Sequence, residues 1–313
     1  ARQTVPPARS TAAADEYATL KAACDSDDPY FAVALQAAIR RGSPTMPQSA
    51  VTAFNRRAPL VSLVGGSQAG SIYGLAFDAL RGHLYAAAYD LKFAGAGGAG
   101  AIYRADLPTG QFAPWAILPV WRSTRSGEFH QSGFGDIDLD DAATELFAVN
   151  LSDRRIYRLS VPDGAMLGVF ANGASAEAWA SEAYPFALAF HEGWLYHGLV
   201  PDLGRPRPKR EAVIYRSRPD GTAMSEVARF ALNYRMPDQS MSHAFALVAD
   251  IAFRPNGAAI VSLRDGTGGL TGDLLPTVAG RGGWTVTLDR EHYLDPVASD
   301  ETTYGGLAAV PEA

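Results

Sequence analysis

Two aspartates, Asp136 and Asp250, are the residues whose type and spacing could most readily do chemistry. Each lies in a short apolar segment, GDIDL or ADIAF, and a histidine precedes each segment, His130 in one case and His243 in the other. Carboxylates are favoured ligands of Ca²⁺, with carbonyl and water oxygens completing the shell. Asp136 and Asp250 could therefore share a Ca²⁺ ion, with His130 or His243 as the general base of a hydrolase. The alternative is that each aspartate accepts hydrogen bonds from backbone N–H groups where strands converge.

Two other polar patterns favour structural roles. The segment from Gly95 to Gly100 has G-x-G-x-x-G spacing, but the strand-like AIYRADL follows it where a dinucleotide site requires a helix. We therefore expect a hairpin loop there. An aspartate also follows the second strand of each copy of a repeat described below, where its side chain can cap turn N–H groups. These residues are Asp90, Asp153, Asp202 and Asp265.

A basic, proline-stiffened segment spans residues 205–210. Its charged residues are Arg205, Arg207, Lys209 and Arg210. Such a segment is either a solvated hairpin tip or a contact for an acidic protein partner.

The elements that position these residues are short strands in a repeated unit. In one copy, three apolar strands at 134–139, 146–151 and 155–161 are separated by turns rich in Asp, Ser and Arg. Similar units begin near residues 72, 185 and 248, and the triplet Ile-Tyr-Arg recurs at 102–104, 156–158 and 214–216. An all-strand repeat of roughly 50 to 60 residues predicts an all-β fold, the β-propeller.

Alignment of the first strand of each copy gives one equivalent position near the mouth of the central channel. It is occupied by Gly74, Asp136, Ala187, Asp250 and Gly306. Four copies are complete and a fifth begins at residues 303–311, which predicts five or six blades if the ring is completed. The remaining strands could come from the N-terminal segment, a partner chain or a longer protein.

The N-terminal residues 1–57 are expected to form an arm with one or two helices, and residues 58–313 the propeller. Residues 13–23 contain good helix formers. A second helix is expected after Asp28, its N-cap, with Phe31 and Leu35 on its apolar face and Gly42 just past its end. That face would dock on the propeller or contact a partner chain. Cys24, the single cysteine, is either half-buried or joined to another chain.

Charge and hydropathy limit the classes of partner. The net charge is −6, and no basic stripe suggests nucleic acid. No apolar run is long enough to cross a bilayer. The polar, Ala- and Pro-rich start is typical of a chain from which a signal peptide has been cut, so we expect an exported protein in the periplasm, at the cell surface or outside the cell.

Several segments resemble a family of large exported bacterial surface proteins. They are IYGLAFDALRGHLYAAAYD, GAIYRADL, GFGDIDLDDAATELFAVNLSDRRIYRLSV, ADIAFRPNGAAIVSLRDGTGGLTGD and YGGLAAVP, within residues 65–310. In that family a six-bladed, TolB-like propeller region precedes prealbumin-like B-type repeats. The resemblance implies a propeller fold and a role in adhesion or the cell envelope.

Two functional hypotheses follow. The first is a non-enzymatic, exported propeller that acts as a binding or structural subunit of an envelope or extracellular assembly. The second is a Ca²⁺-dependent hydrolase of the lactonase or esterase kind, with its site at the channel. Four or more oxygen or nitrogen ligands converging at the channel mouth would favour the enzyme.

Overall fold

The computed structural model describes residues 30–36, 38–40, 43–45, 47–55, 60–90, 93–121, 133–201, 211–232, 246–254, 256–265, 274–280 and 283–288. Every structural statement below concerns these residues. The repeats form strands at the expected places, and the chain is a β-propeller.

Four sheets, here called blades A to D, each contain four antiparallel strands in chain order from the inside outwards. Blade A is β6 (Ile72–Asp78), β7 (His83–Ala88), β8 (Ala101–Asp106) and β9 (Gln111–Ile117). Blade B is β10 (Phe134–Leu139), β11 (Glu145–Asn150), β12 (Arg155–Ser160) and β13 (Met166–Phe170). Blade C is β14 (Ala183–His191), β15 (Trp194–Pro201), β16 (Glu211–Ser217) and β17 (Ser225–Ala231). Blade D is β18 (Ala246–Phe253), β19 (Ala259–Asp265), β20 (Leu274–Gly280) and β21 (Gly283–Val286).

A further sheet comes from the N-terminal part of the chain. It has the order β1 (Phe31–Ala34), β4 (Ser49–Phe54) and β5 (Val61–Gly65), and its innermost strand β1 lies beside β6 of blade A. A short hairpin, β2 (Ala38–Arg40) and β3 (Ser43–Thr45), joins β1 to β4. One short helix, α1 (Gly66–Ala69), leads from this sheet into blade A, and two single 3₁₀ turns, Ala174–Ala176 and Ala180–Glu182, precede β14.

The helix expected between Asp28 and Gly42 is wrong over its described residues. Phe31–Ala34 is a strand, and Phe31 is paired with Phe54 and Ala34 with Val51. The helical spacing of apolar residues was outweighed by the unpaired edge of β4, which offers this segment a ladder of backbone hydrogen bonds. The helix expected at 13–23 and Cys24 lie outside the described residues.

The N-terminal segment therefore contributes strands to the propeller, which was one of the three sources considered for completing it. The division at residues 57 and 58 stays a prediction, although β4 and β5 pair across it. Residues 303–311 lie outside the described part, so blade number stays a prediction too. No helix among the described residues is long and apolar enough to span a membrane.

The hydrophobic core lies between adjacent sheets. One cluster of buried side chains fills the space between the N-terminal sheet and blade A, a second lies between blades A and B, and a third extends through blades B, C and D. The inner strands β6, β10, β14 and β18 are neighbours in that order. Alternating side chains of each strand thus pack on both faces of a blade, as in other all-β folds with stacked sheets.

The repeated Pro-x-Gly turns explain why the outer hairpins recur. Gly110, Gly164 and Gly221 end the three turns and have φ values of 68°, 71° and 82°. This left-handed conformation is accessible to glycine without a steric penalty, so each turn connects strands three and four of its blade in the same way.

The close approach of β6 to β10 predicts that a larger residue at Gly74 destabilises the fold. A Cβ atom there would lie 2.8 Å from both Gly135 O and Ile137 N of β10. Gly74→Ala should lower the free energy of unfolding by about 2 kcal/mol, because backbone atoms must move to admit the methyl group. Chemical denaturation measures this change.

The matched control is Gly168→Ala on the outer strand β13, where no atom lies within 4 Å of an added Cβ. Its effect should stay within about 0.5 kcal/mol. Equal losses in the two variants would contradict the packing of β6 against β10.

Candidate functional site

All four inner strands carry a β-bulge at the same level. The regular pairing with the second strand is interrupted between Ile72 and Leu75, Phe134 and Ile137, Pro185 and Ala187, and Val248 and Asp250. Gly74, Asp136, Ala187 and Asp250 lie in or directly after these bulges, so the structure supports the sequence alignment of these four positions. A bulge bends its strand and changes the direction of a side chain. The shared bulge therefore explains how residues at this position come to face one another near the axis.

The side-chain carboxylate of Asp136 in blade B accepts hydrogen bonds from backbone N–H groups and so connects blade B to blade C. Its Oδ1 accepts a hydrogen bond from Ile137 N (2.9 Å), and its Oδ2 accepts one from Leu188 N of β14 (3.3 Å). The side chain is almost completely buried, with 6% of the residue exposed. The interpretation of Asp136 as an acceptor for backbone N–H groups at the inner strands is thus confirmed.

Asp138 repeats this contact two residues further along. Its Oδ1 accepts from Leu139 N (2.8 Å), and its Oδ2 accepts from Phe190 N of β14 (2.6 Å). N–H groups on one edge of a strand recur at every second residue, so carboxylates at positions 136 and 138 match donors at 188 and 190. Asp138 was missed in the sequence analysis, and its signal was the Asp-x-Asp spacing of GDIDL.

Burial and mutual repulsion raise the pKa of these carboxyl groups. Burial is the larger cause for Asp136, whose pKa lies well above its ordinary value, and the charges of Asp250 and Asp138 add to it. Burial also raises the pKa of Asp138 to about 7, against the opposing effect of the hydrogen bonds from Phe190 N and Leu139 N. A negative charge on either group near neutral pH is therefore unfavourable.

Aromatic rings from blades A and C fill the neighbouring space near the axis. The Tyr73 ring lies 4.6 Å from that of Phe186 in an edge-to-face arrangement and 5.6 Å from that of Tyr89. The Tyr73 hydroxyl donates a hydrogen bond to Ala249 O of blade D (3.3 Å). Ala249 is the extra residue of the bulge in β18. One side chain thus connects blade A to blade D.

Arg264 of β19 joins blade D to the beginning of the chain. Its Nη2 donates to Gln36 Oε1 (2.9 Å), and its Nη1 lies 3.5 Å from the Tyr89 hydroxyl. The guanidinium also lies over the Tyr73 ring, 5.6 Å from the ring centre. Neither Arg264 nor Tyr73 was predicted from the sequence as a member of this group.

Two of the expected site residues, Asp136 and Asp250, lie near each other, and several others lie outside the described residues. Asp136 and Asp250 are close enough for the charge of Asp250 to affect the pKa of Asp136, and Asp250 Oδ1 accepts from Ile251 N (2.6 Å). The remaining expected residues on undescribed segments are His130, His243, Gly306, Arg205, Arg207, Lys209 and Arg210.

The two N-terminal residues expected to contact a partner lie in or beside β1. Phe31 is half-buried with its ring 5.9 Å from that of Phe54. Leu35 N donates to Ala50 O, and Leu35 O accepts from Ile72 N. Their role in partner binding stays a prediction.

A Ca²⁺ site near the axis would need more ligands than the two aspartates Asp136 and Asp250 supply. Within the described ranges, no group of three or more His, Cys, Asp or Glu side chains could hold a metal ion. Asp136 and Asp250 could supply carboxylate oxygens, but Asp136 already accepts two N–H groups. The described carboxylates near the axis therefore supply only part of the six to eight oxygens that a Ca²⁺ ion needs.

Two of the polar patterns interpreted as structural can be compared with the structure, at Gly95 to Gly100 and at Asp153, while Asp202 lies outside the described residues. The segment from Gly95 to Gly100 leads into the strand β8, as expected for a hairpin loop. Asp153 accepts hydrogen bonds from Arg155 N (3.0 Å) and the Tyr157 hydroxyl (2.7 Å), as expected for a turn residue.

No protein-family model and no curated protein matches this chain. The expected relationship to exported surface proteins with B-type repeats therefore stays a prediction.

Several solved structures resemble the chain at low identity. One from a nidogen/laminin complex is 17% identical with a TM-score of 0.46, covering 79% of this chain and 73% of that one. A Lactobacillus plantarum protein is 12% identical with a TM-score of 0.46, covering 83% and 66%. The calcium-binding protein regucalcin from Agrobacterium tumefaciens is 14% identical with a TM-score of 0.39, covering 69% and 58%. The last two matches span less than two thirds of those proteins. With such identities and TM-scores, none of the three carries a functional argument.

The raised pKa of Asp138 predicts a pH-dependent stability. The folded pKa of Asp138, about 7, exceeds its ordinary value of about 4, so the protonated carboxyl group stabilises the folded state. This contribution to the free energy of unfolding is fully present below about pH 4 and is lost as the pH rises through about 7. Asp138→Asn removes the titrating group and should reduce the loss of unfolding free energy between pH 5 and pH 8 by about 3 kcal/mol. Denaturation curves at a series of pH values measure it.

Asp220→Asn is the control, since Asp220 is exposed on the turn between β16 and β17. It should leave the decline above pH 5 unchanged. An identical pH dependence in Asp138→Asn and the unmodified chain would contradict the buried, titrating Asp138.

Proposed function

We propose that this propeller is a non-enzymatic, exported protein that serves as a binding and structural subunit of an envelope or extracellular assembly. One observation carries the proposal. The polar groups near the axis bond to neighbouring blades, with Asp136 and Asp138 accepting N–H groups of β14 and Tyr73 donating to Ala249 O. Groups used in this way stabilise the arrangement of the blades, and a rigid scaffold favours recognition by its surface loops.

The segments proposed to contact the partner lie away from these axial groups in the sequence. The basic segment with Arg205, Arg207, Lys209 and Arg210 suits an acidic protein surface. The half-buried Phe31 and Leu35 at the N-terminal sheet supply an apolar second contact.

Native mass spectrometry of the protein from its source tests this proposal. We expect a complex heavier than one chain, in an exported fraction. Replacing the four basic residues with Glu should weaken the complex at least about tenfold, because it reverses the charge presented to the partner. A control variant with Arg218→Glu and Arg254→Glu changes basic residues elsewhere and should leave the complex intact.

A free chain in every fraction would overturn the assembly proposal. So would a complex that resists the four substitutions in the basic segment and also the replacement of Phe31 and Leu35 by Ser.

The second candidate function is a Ca²⁺-dependent hydrolase of the lactonase or esterase kind. The observation that favours it is the proximity of the Asp136 and Asp250 carboxyl groups, whose repulsion a cation would relieve. In that case Asp136 and Asp250 would contribute ligands, and His130 or His243 would be positioned to take a proton from water.

Calcium addition to chelator-treated protein separates the two functions. The hydrolase candidate predicts that Ca²⁺ raises the melting temperature by several degrees, since a ligand that binds only the folded state stabilises it. The double variant with Asp136→Asn and Asp250→Asn should lose that rise, and the Asp220→Asn control should keep it. A melting temperature that does not respond to Ca²⁺ in the unmodified chain would exclude a stabilising Ca²⁺ site and remove the hydrolase candidate.

A further inference from the structure

The arginine of the repeated Ile-Tyr-Arg triplet has a partner in two blades. In blade B, Arg158 makes a bidentate pair with Glu145, with Nε donating to Oε2 (2.6 Å) and Nη2 donating to Oε1. In blade C, Arg216 lies over the ring of Trp194, 4.4 Å from the ring centre. Glu145 and Trp194 both begin the second strand of their blade. The first residue of that strand thus neutralises or covers the repeated guanidinium.

Blade A departs from this pattern. The residue that begins its second strand is His83, and the guanidinium of Arg104 makes no ion pair with any described residue. Burial is the main cause that lowers the pKa of His83, and the positive charge of Arg104 lowers it further. Blade A therefore places a cation and an imidazole side by side where blades B and C place a compatible pair.

Three buried polar atoms in the same place have no hydrogen-bond acceptor among the described residues; the Arg104 guanidinium, which contacts the Tyr85 hydroxyl, can only donate to it. They are His83 Nδ1, the Tyr85 hydroxyl and Trp115 Nε1. The rings are neighbours, with 6.4 Å between the centres of His83 and Tyr85 and 4.9 Å between those of Tyr85 and Trp115. The Tyr85 hydroxyl and Trp115 Nε1 are donors, and His83 Nδ1 is a donor in the tautomer that carries the proton there. An unpartnered buried donor costs about 1–3 kcal/mol, so three together indicate a missing acceptor.

These donors share one face of blade A. Tyr85 is the cross-strand partner of Arg104, and His83 precedes Tyr85 by two residues, so all three side chains lie on the same side of the sheet. That side faces blade B, since Tyr85 belongs to the hydrophobic cluster between the two blades.

Trp115 lies at an irregularity of the outer strand. It is the extra residue of a bulge in the outer strand β9, because Ile102 pairs with Ala116 and Tyr103 with Pro114. Pro114 has no N–H group to hold the strand in place. The regular ladder of hydrogen bonds between β8 and β9 is therefore interrupted beside the three donors.

The acidic residues nearby do not supply that acceptor. Asp78 accepts hydrogen bonds from Leu80 N, Arg81 N and Arg81 Nη1, the last at 2.7 Å. Asp106 accepts from Thr109 N (3.1 Å), and its Oδ2 lies 3.8 Å from His83 Nε2. Neither carboxylate makes an ion pair with Arg104, and neither accepts a hydrogen bond from His83 Nδ1, the Tyr85 hydroxyl or Trp115 Nε1.

We propose that the seam between blades A and B contains a binding site for a small oxyanion, a carboxylate or phosphate group, held by Arg104, His83, Tyr85 and Trp115. The guanidinium supplies the charge and two parallel N–H groups, the geometry that carboxylate and phosphate oxygens prefer. The indole N–H, the phenol and the imidazole supply the remaining donors. The site is independent of the axial carboxylates and of the proposed assembly.

Titration of the full chain with sodium phosphate and, separately, with sodium acetate tests the site, with sodium chloride at matched ionic strength as reference. We expect at least one anion to bind saturably at about 1 mM, measured by calorimetry and as a rise in melting temperature. Saturation by phosphate alone, by acetate alone or by both supports the site and identifies which oxyanion it accepts. Saturation by neither, or equal saturation by chloride, overturns it.

The variants assign binding to this seam. Arg104→Gln should weaken the anion affinity at least about tenfold, and Trp115→Phe, which keeps an aromatic ring but removes the N–H donor, should weaken it about threefold or more. Arg216→Gln, the equivalent substitution in blade C, should leave the affinity unchanged. Far-UV circular dichroism without anion verifies the fold of each variant. If Arg104→Gln does not fold, the anion affinity of Trp115→Phe alone tests the site. Unchanged affinity in the folded blade A variants, or an equal loss in Arg216→Gln, would overturn the proposal.

Discussion

The unpaired inner edge of each blade is the constraint on which the axial part of this propeller depends. A strand at the axis has neighbours on one side only, so its remaining N–H groups need acceptors. Asp136 and Asp138 satisfy two such groups of β14 because their two-residue spacing equals the spacing of N–H groups along an edge. The bonds join blades B and C, but they bury two carboxyl groups, and their raised pKa values follow directly from that burial.

The same constraint explains why small residues and bulges occur at the axis. Gly74 lets β6 approach the backbone of β10, and Gly135 lets β10 approach Phe186 O of β14. Side chains that do enter this space are those that connect distant blades. Tyr73 reaches the bulge of β18, and Arg264 reaches Gln36 beside the N-terminal sheet. The first and last described parts of the propeller are thus held by side-chain contacts, while the ladders of backbone hydrogen bonds lie within each sheet.

The sequence predicted the repeat, the strand order and all four aligned axial positions that lie among the described residues. These features depend on local alternation and on turns with obligatory glycine. It did not predict the strand at Phe31–Ala34, since this segment becomes a strand by pairing with β4, a contact that local sequence does not encode. Asp138 was missed for a related reason. Its role depends on Phe190 N, more than fifty positions away, and only the Asp-x-Asp spacing hinted at it. The positions of the Tyr73 and Arg264 side chains near the axis could not be predicted, because neither residue recurs at the equivalent position of the other copies.

Positions that the repeat keeps constant and positions that it varies have different physical roles. The repeated tyrosines Tyr103, Tyr157 and Tyr215 all direct their hydroxyls to loop groups, namely Gly97 N, Asp153 and Glu177. Their cross-strand partners are Ala86 and Ala148 in two blades, but His197 in the third. His197 is completely buried, and burial lowers its pKa to about 3, so it stays neutral and acts as a large, polar replacement for alanine. The seams between blades therefore tolerate side chains that differ in charge and hydrogen bonding while the ladders stay alike. Such seams are the places where one blade can acquire a property, such as the unpaired guanidinium of Arg104, without a change of fold.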